Sequence, residues 1–265
     1  MLKQQMRNYN MFPLHNFSGS CWVNACLQGI FRIPEVGDRY TREIHDKQNP
    51  VDNSLNTIWN SKGQQGLKDF FSSARTATMP AGQGIGDSNE LFHYLCDKLP
   101  YLDELCRFKI AEHVKCSNCS FSQLRRDSVV EFQLHPTQRL MPIGDCISSA
   151  VQVEKLDDWK CDGCSKVGGG TKQQLIESFP KIMVFRMTSQ GTSIQYSSLL
   201  VMNSKKYYLM SVVSHTGGHW FTHAREMPPG KPWFTLDDTR IRPHSPNEFP
   251  ISEMMRLLIY YRLEE

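Results

Sequence analysis

Thiols, one run of histidines and a pair of adjacent carboxylates are the residues of this chain best placed to do chemistry. Cys21 stands where a small polar loop, 14 to 20, gives way to apolar residues at Val23, Cys26, Leu27, Ile30 and Phe31, the pattern of a loop feeding an amphipathic helix. A thiol at that boundary meets unpaired backbone N–H groups and the positive end of the helix dipole, which predicts a pKa lowered toward the reactive thiolate. Cys26 lies one turn in on the apolar side and reads as core. A base has to come from elsewhere, and nine histidines compete. His215, His219 and His223 are four apart, as in a helical metal cluster, but Thr216-Gly217-Gly218 breaks any helix between the first two. Gly218-His219-Trp220 instead opens a strand, and a glycine before the imidazole leaves room for a substrate backbone, so His219 is the candidate base. Downstream, a short strand from Trp233 runs into Asp237-Asp238, either of which could accept the Nδ1 proton of His219 and hold its tautomer. Taken singly, these residues read equally well as a core cysteine, a strand-end histidine and an acidic turn.

A second set of thiols has a different character. Cys116-Ser-Asn-Cys119 and Cys161-Asp-Gly-Cys164 each hold two sulfurs at the spacing that lets both reach one metal ion, and together they make the closed four-thiolate set of structural zinc. Their separation exceeds that of a compact zinc ribbon, which predicts that the pairs are tips of neighbouring strands. A closed site has no open coordination position, so Zn2+ here would serve folding and not catalysis.

The elements that must position these groups follow from periodicity. DSNELFHYLCDKLP starts with Asp87 and Glu90 at capping-box spacing and stops at Pro100, which predicts a helix. The stretch from Gly37 to Gly86 is polar and irregular, with short helical hints at 55–59 and 67–71 and a loop at 79–86. Beyond Phe108 the period falls to two, with strands expected at 181–187, 207–215, 219–225 and 257–262 and Gly-rich turns at 168–170 and 217–218. A helical N-terminal third against a mainly antiparallel remainder is an α+β arrangement. The 265 residues are 40% hydrophobic and 22% charged, which argues against disorder, and 30 basic against 27 acidic residues give no basic stripe of the kind nucleic acid selects. No apolar run approaches the roughly 18 residues of a membrane span, and the first fifteen residues lack a signal-peptide core. Nine cysteines, an odd number, are therefore expected as thiols or metal ligands in a reducing compartment, cytoplasmic or nuclear.

Four blocks, in order, resemble the ubiquitin-specific proteases, papain-like cysteine peptidases that remove ubiquitin. Residues 14 to 28, LHNFSGSCWVNACLQ, are similar to that family's Cys box, with Asn16, Cys21 and Leu27-Gln28 in register. Residues 85 to 92, IGDSNELF, resemble its Q-Q-D-A-x-E-F-L helix. Cys116, Cys119, Cys161 and Cys164 look like its zinc fingers, and His215-Thr216-Gly217, Gly218-His219-Trp220 and Trp233 to Asp238 its His box. Ser18-Gly19 stand where the family has Gly-Asn, Gly86 where a glutamine is usual, Trp220 for tyrosine and Leu236 for phenylalanine.

The resemblance implies a fingers, palm and thumb architecture: an N-terminal extension at 1–13, then thumb about 14–107, fingers about 108–180 and palm about 181–265. It implies Cys21 as nucleophile, His219 as base, Asp237 as its orienter, Asn16 as oxyanion donor and Asp238 as a secondary polar group. Asp87, Gly218 and Trp220 would contact the substrate tail, with Asp87 on its arginines. The implied partner is ubiquitin, or a related modifier such as SUMO or the interferon-induced modifier, with its conjugates, and the chain is expected to be a monomer. A catalytically silent ubiquitin-binding module is the alternative of a different class.

Overall fold

Two long, almost continuously buried runs set the frame of the molecule. Lys205–Thr216 (β10) and Met255–Arg262 (β14) pair antiparallel at the centre of an eight-stranded sheet. The computed structural model describes residues 10–79, 84–188, 193–227, 229–245, 248–251 and 254–263. Residues 1–9 of the expected extension and 80–83 of the expected loop lie outside that set.

The large sheet runs β13-β12-β11-β10-β14-β7-β3, with β9 also paired to β10; its members are Phe132–Leu134 (β3), Ile182–Met187 (β7), Leu199–Met202 (β9), His219–Ala224 (β11), Phe234–Asp237 (β12) and Arg240–Pro243 (β13). Among the described residues its single parallel pair is β3 with β7. A second, four-stranded sheet holds Phe108–Cys116 (β1), Ser122–Val129 (β2), Glu154–Leu156 (β5) and Gly170–Ile176 (β6), in the order β2-β1-β6-β5. Leu140–Pro142 (β4) and Ser193–Gln195 (β8) form a small parallel pair, and the helix Ile143–Val151 stands between the sheets' connections.

Residues 21 to 106 are more helical than their polarity suggests. Besides the expected helices Cys21–Ile30 (α1) and Ser88–Lys98 (α5), the chain forms Pro34–Thr41 (α2), Pro50–Asn60 (α3), Leu67–Thr78 (α4) and Pro100–Cys106 (α6). The supposedly irregular stretch is thus three helices. Three of these four have local start signals: Pro34, Pro50 and Pro100 sit in first turns, and the Asn49 side chain accepts from Val51 N at 3.0 Å and Asp52 N at 3.2 Å, whereas α4 starts after Gly66 with no side-chain cap. Narrow apolar stripes, Leu55, Ile58 and Trp59 on α3 and Leu67, Phe70, Phe71 and Ala74 on α4, bury against the core while the wider polar faces stay wet, which hides the helical period.

α1 differs from its expected form in the opposite sense. Its polar face is not left to solvent: all ten residues are buried. It lies across β10 and β11, where Thr222 Oγ1 donates to the carbonyl of Ala25 at 2.7 Å and Ser211 Oγ to that of Gly29 at 3.3 Å. A Cβ on Gly29 would sit 3.2 Å from Ile259 Cδ1, so the missing side chain lets helix and sheet close together.

A polar chain runs from the buried His223 on β11 out to the exposed Glu248. His223 Nδ1 lies 3.0 Å from Thr235 Oγ1, which lies 2.8 Å from His244 Nε2, and His244 Nδ1 lies 2.8 Å from Glu248 Oε1. Burial, with His244 adding to it, pushes His223 down to about 4. The folded chain then holds fewer protons there than the unfolded chain, so this histidine's contribution to stability is present above about pH 6.5 and is lost as pH falls from there toward the folded value. His223→Gln is expected to shrink the drop in melting temperature between pH 7 and pH 5. Thermal melts at the two pH values check it, and equal drops in both proteins would remove His223 as the cause.

Candidate active site

Cys21 is the first residue of α1, as its sequence context predicts, and the loop before it is built by Asn16. The Asn16 Oδ1 accepts from the backbone N–H of Gly19 and of Ser20, both at 3.0 Å, while Ser20 Oγ accepts from Phe17 N at 2.8 Å. Ser18 and Gly19 both take positive φ, 50° and 98°, so the two positions that depart from the family pattern form the tight corner ahead of the thiol.

His219 reaches the site from the opposite end of the chain. Thr216 pairs with His219 across a two-residue turn, Gly217 at φ 55° and Gly218 at φ 86°. Two successive positive φ values suit the right-handed twist of a hairpin, so the backbone itself favours glycine at 218, and a Cβ there would meet no protein atom closer than Ile85 Cδ1 at 3.7 Å. The imidazole Nε2 lies 2.6 Å from Asp237 Oδ1 and 4.0 Å from Asp238 Oδ2. The carboxylate thus takes Nε2 and not Nδ1, because Asp237 sits on the neighbouring strand; Nδ1 is left as the nitrogen available to accept a thiol proton.

Asp238 joins the two halves. Its Oδ2 accepts from Asn16 Nδ2 at 2.8 Å, its Oδ1 from Asn24 Nδ2 at 2.7 Å, and its backbone carbonyl from Leu14 N at 3.1 Å. Asn24 belongs to a row that sequence reasoning passed over. Asn24, Gln28 and Arg32 recur every four residues, and their side chains donate to the carbonyls of His15 at 3.2 Å, Phe12 at 2.7 Å and Asn10 at 3.0 Å. An extended strap, residues 10 to 16, therefore lies along α1 and covers its polar face. The signal was present in the sequence, three polar residues on one face of an apolar helix, but that face reads as solvent-facing until the strap is in place.

The thiol itself departs from expectation. Burial pushes the Cys21 thiol up from its ordinary value; the backbone N–H of Trp220 opposes this, the charge of Asp238 adds to it, and the N–H groups of Trp22 and Cys21 oppose it. Helix-end donors are there, as predicted, but desolvation outweighs them in the closed site. The same N–H of Trp220 places the sulfur against the residue that follows His219.

A cavity of about 830 Å³ leads toward this point. Asp87, Gly218 and Trp220, the three expected substrate contacts, all line it, as do Glu90 and Arg186. Asp87 caps α5, its Oδ1 accepting from Asn89 N at 2.7 Å. Trp220 stacks on His215 with ring centroids 4.5 Å apart. Gly86 has a steric reason: its Cβ would fall 2.5 Å from Cε2 of the fully buried Trp22. His219, Asp237 and Asp238 also offer ligand atoms within 4.8 Å of one another, but Asp238 is occupied by two amides.

The four paired cysteines meet at the tips of the β1–β2 and β5–β6 hairpins. Cys116 Sγ and Cys164 Sγ are 3.9 Å apart, Cys119 Sγ and Cys161 Sγ 3.7 Å, and all four sulfurs lie within 4.8 Å of one another. Sulfurs at the corners of a zinc tetrahedron are about 3.8 Å apart, given Zn–S near 2.3 Å. Backbone N–H groups of Asn118, Phe121 and Gly163 donate to Cys116, Cys119 and Cys161 at 3.3, 3.5 and 3.3 Å, the bonding that thiolates rather than thiols favour. These residues fit a single zinc ion.

A thiol at a helix start, a histidine–aspartate pair on adjoining strands and a cysteine-tipped second sheet define a papain-like cysteine peptidase fold with thumb, palm and fingers. The ubiquitin carboxyl-terminal hydrolase family model matches residues 13–260, and the chain belongs to that family. It is 23% identical over 218 residues to Ubiquitin carboxyl-terminal hydrolase 47 of Drosophila melanogaster, covering 72% of this chain and 14% of that protein. With Ubiquitin carboxyl-terminal hydrolase 25 of Arabidopsis thaliana it is 20% identical over 332 residues, covering 99% of this chain and 49% of that one, so it spans about half or less of these relatives. Among solved structures, the SAGA DUB module Ubp8/Sgf11/Sus1/Sgf73 bound to monoubiquitin matches with a TM-score of 0.82 at 17% identity, covering 97% of this chain and 70% of that one. The yeast SAGA DUB module with a variant Sgf73 gives a TM-score of 0.83 at the same identity and coverage.

Gly86→Ala is expected to destabilise the fold by about 1–3 kcal/mol through overpacking on Trp22, and Trp22→Phe in the same chain to recover part of that loss. Denaturant midpoints of the two single variants and the double variant check the pair; additive losses would break the link. Asp238→Ala, which strands the Asn16 and Asn24 amides, is expected to cost about 2–4 kcal/mol, against less than about 1 for the exposed Asp97→Ala, in the same measurement.

Proposed function

We propose that the chain is a thiol-dependent deubiquitinase that hydrolyses the isopeptide bond after the C-terminal Gly-Gly of ubiquitin. The observation that carries this reading is that the Cys21 sulfur, at the start of α1, meets the backbone N–H of Trp220, next in the chain to the His219 that is bonded to Asp237, while Gly218 and Trp220 line a cavity together with Asp87. Ubiquitin-bound neighbours of the same fold support ubiquitin as the partner.

In this mechanism His219 Nδ1 takes the Cys21 proton as the sulfur attacks the glycine carbonyl, so a thiol pushed up by burial need not ionise beforehand. Asp237 holds the ring through Nε2. The developing oxyanion meets the second N–H of the Asn16 amide, whose first is on Asp238. His219 then protonates the leaving lysine amine, and water releases the thioester. Glycines at the tail's end carry no side chains past the ring of Trp220, and Asp87 attracts the tail's arginines. In the fingers, Cys116, Cys119, Cys161 and Cys164 would hold one Zn2+, whose role there would be structural, joining the two hairpin tips. We assign the helical block to the thumb, the four-stranded sheet to the fingers and the eight-stranded sheet to the palm, and a reducing compartment, cytoplasm or nucleus, to the protein.

Ubiquitin with a thiol-reactive group at its C-terminal glycine is expected to form one adduct by intact mass, absent in Cys21→Ala. The same probes built on SUMO and the interferon-induced modifier are expected to react more slowly. Reaction with one of those instead would change the modifier, and no adduct from folded, zinc-loaded protein would favour a silent binding module. Asp237→Ala is expected to lower turnover by about 10²–10⁴ with the fold retained. Metal analysis is expected to give one zinc per chain, and chelation to lower the melting temperature; an unchanged melt in metal-free protein would remove the metal from the fold.

A further inference from the structure

The cavity has two walls of different charge. One belongs to the helix Ser88–Lys98 and its cap, and carries Asp87 and Glu90; the other belongs to the large sheet, and carries Arg186 on β7 and Arg256 on β14. The two arginines are not equivalent. Arg186 Nη1 lies 3.6 Å from the buried carboxylate of Glu131, which His93 Nε2 also approaches at 3.2 Å. With the Asn89 amide turned so that its nitrogen faces Glu131, its oxygen accepts from Arg186 Nη1 at 3.0 Å. Arg186 is therefore neutralised within the wall.

Arg256 is half-buried and has no ion-pair partner among the described residues. Its direction is set by the backbone. Ser214 pairs with Met255 and Val213 with Leu257, so Arg256 is the extra residue of a β-bulge. A bulge re-aims one side chain out of the strand's alternation, and here it brings the guanidinium to the cavity beside His215, whose imidazole is pushed down by burial and then by the Arg256 charge. A guanidinium has five donors and a planar fork matched to carboxylate oxygens.

An extended tail presents successive side chains to opposite walls. Residues facing Asp87 and Glu90 would be selected for positive charge, and those between them would face the sheet wall. We propose that Arg256 is a specificity-determining residue of this cavity, its guanidinium rejecting a basic side chain of the modifier's tail at the position that faces the sheet wall while admitting a neutral or acidic one. This rests on the reading that the cavity takes a modifier's tail.

The test is binding to the inactive Cys21→Ala chain, loaded with zinc, of ubiquitin variants in which each residue just before Gly-Gly is in turn Glu or Lys. At one position Glu is expected to bind about tenfold more tightly than Lys, with the opposite preference at its neighbours. Adding Arg256→Glu is expected to invert the first preference alone, and Arg256→Gln to erase it, with melting temperatures confirming that both variants fold. A Glu-to-Lys ratio that moves less than twofold at every position in both variants would overturn the proposal, as would failure of every ubiquitin variant to bind. If instead the wild-type chain forms no adduct with the ubiquitin probe but the Arg256-dependent preference is present, the inference about Arg256 stands and the catalytic reading falls.

Discussion

One carboxylate, that of Asp238, holds together parts of the chain more than two hundred residues apart. Its two oxygens accept from Asn16 and Asn24, and its carbonyl from Leu14, so the loop that carries Cys21 is bonded to the strand end that carries Asp237. A carboxylate with two amide donors is well satisfied despite its limited exposure. Its backbone sits at φ 52°, a conformation aspartate adopts more readily than most residues, and the turn it makes lets adjacent carboxylates point to different partners, one to His219 and one to the loop.

The strap over α1 extends the same constraint. A helix buried on every side has no water for Asn24 and Gln28, nor for Arg32 just past its end, and the strap supplies acceptors at nearly the helix's own repeat: the carbonyls of Leu14, 3.4 Å from Asn24 Nδ2, of Phe12 and of Asn10 are two residues apart, and two residues of extended chain advance about 6.6 Å against about 6 Å for four residues of helix. The match allows three successive bonds without strain. Burial that deep is also why the Cys21 thiol is pushed up, since the packing that fixes its position removes the solvent that would stabilise its charge. Position and ionisation are opposed here, and a neighbouring base on a separate strand reconciles them.

The fingers and the cavity show the same economy of side chains by other means. At the tips of the second sheet the rings of Phe121 and Trp159, with centroids 5.9 Å apart, pack beside four sulfurs and three backbone N–H donors. At the cavity, Trp22 fills the space that a side chain at 86 would need, so glycine there is part of the packing around the nucleophile and not a gap in it.

Much of this was legible in the residues themselves. Cys21 at the loop-to-helix boundary, the strands around His219, the helix capped by Asp87 and the two CxxC tips all rest on local pattern, since capping, alternation and turn glycines act over a few residues. The three helices between 34 and 78 were obscured because their buried stripes are narrow, and the polar face of α1 reads as solvated until residues 10–16 cover it. Which imidazole nitrogen meets Asp237, the upward push on the Cys21 thiol, the Asp238 junction and the bulge that turns Arg256 into the cavity all depend on contacts between distant segments. The sequence alone determined the identities and local settings of the reactive groups, because those follow from neighbours in the chain; their bonding partners, desolvation and direction were decided by the tertiary structure, because burial and electrostatic coupling are properties of what packs against a residue in space.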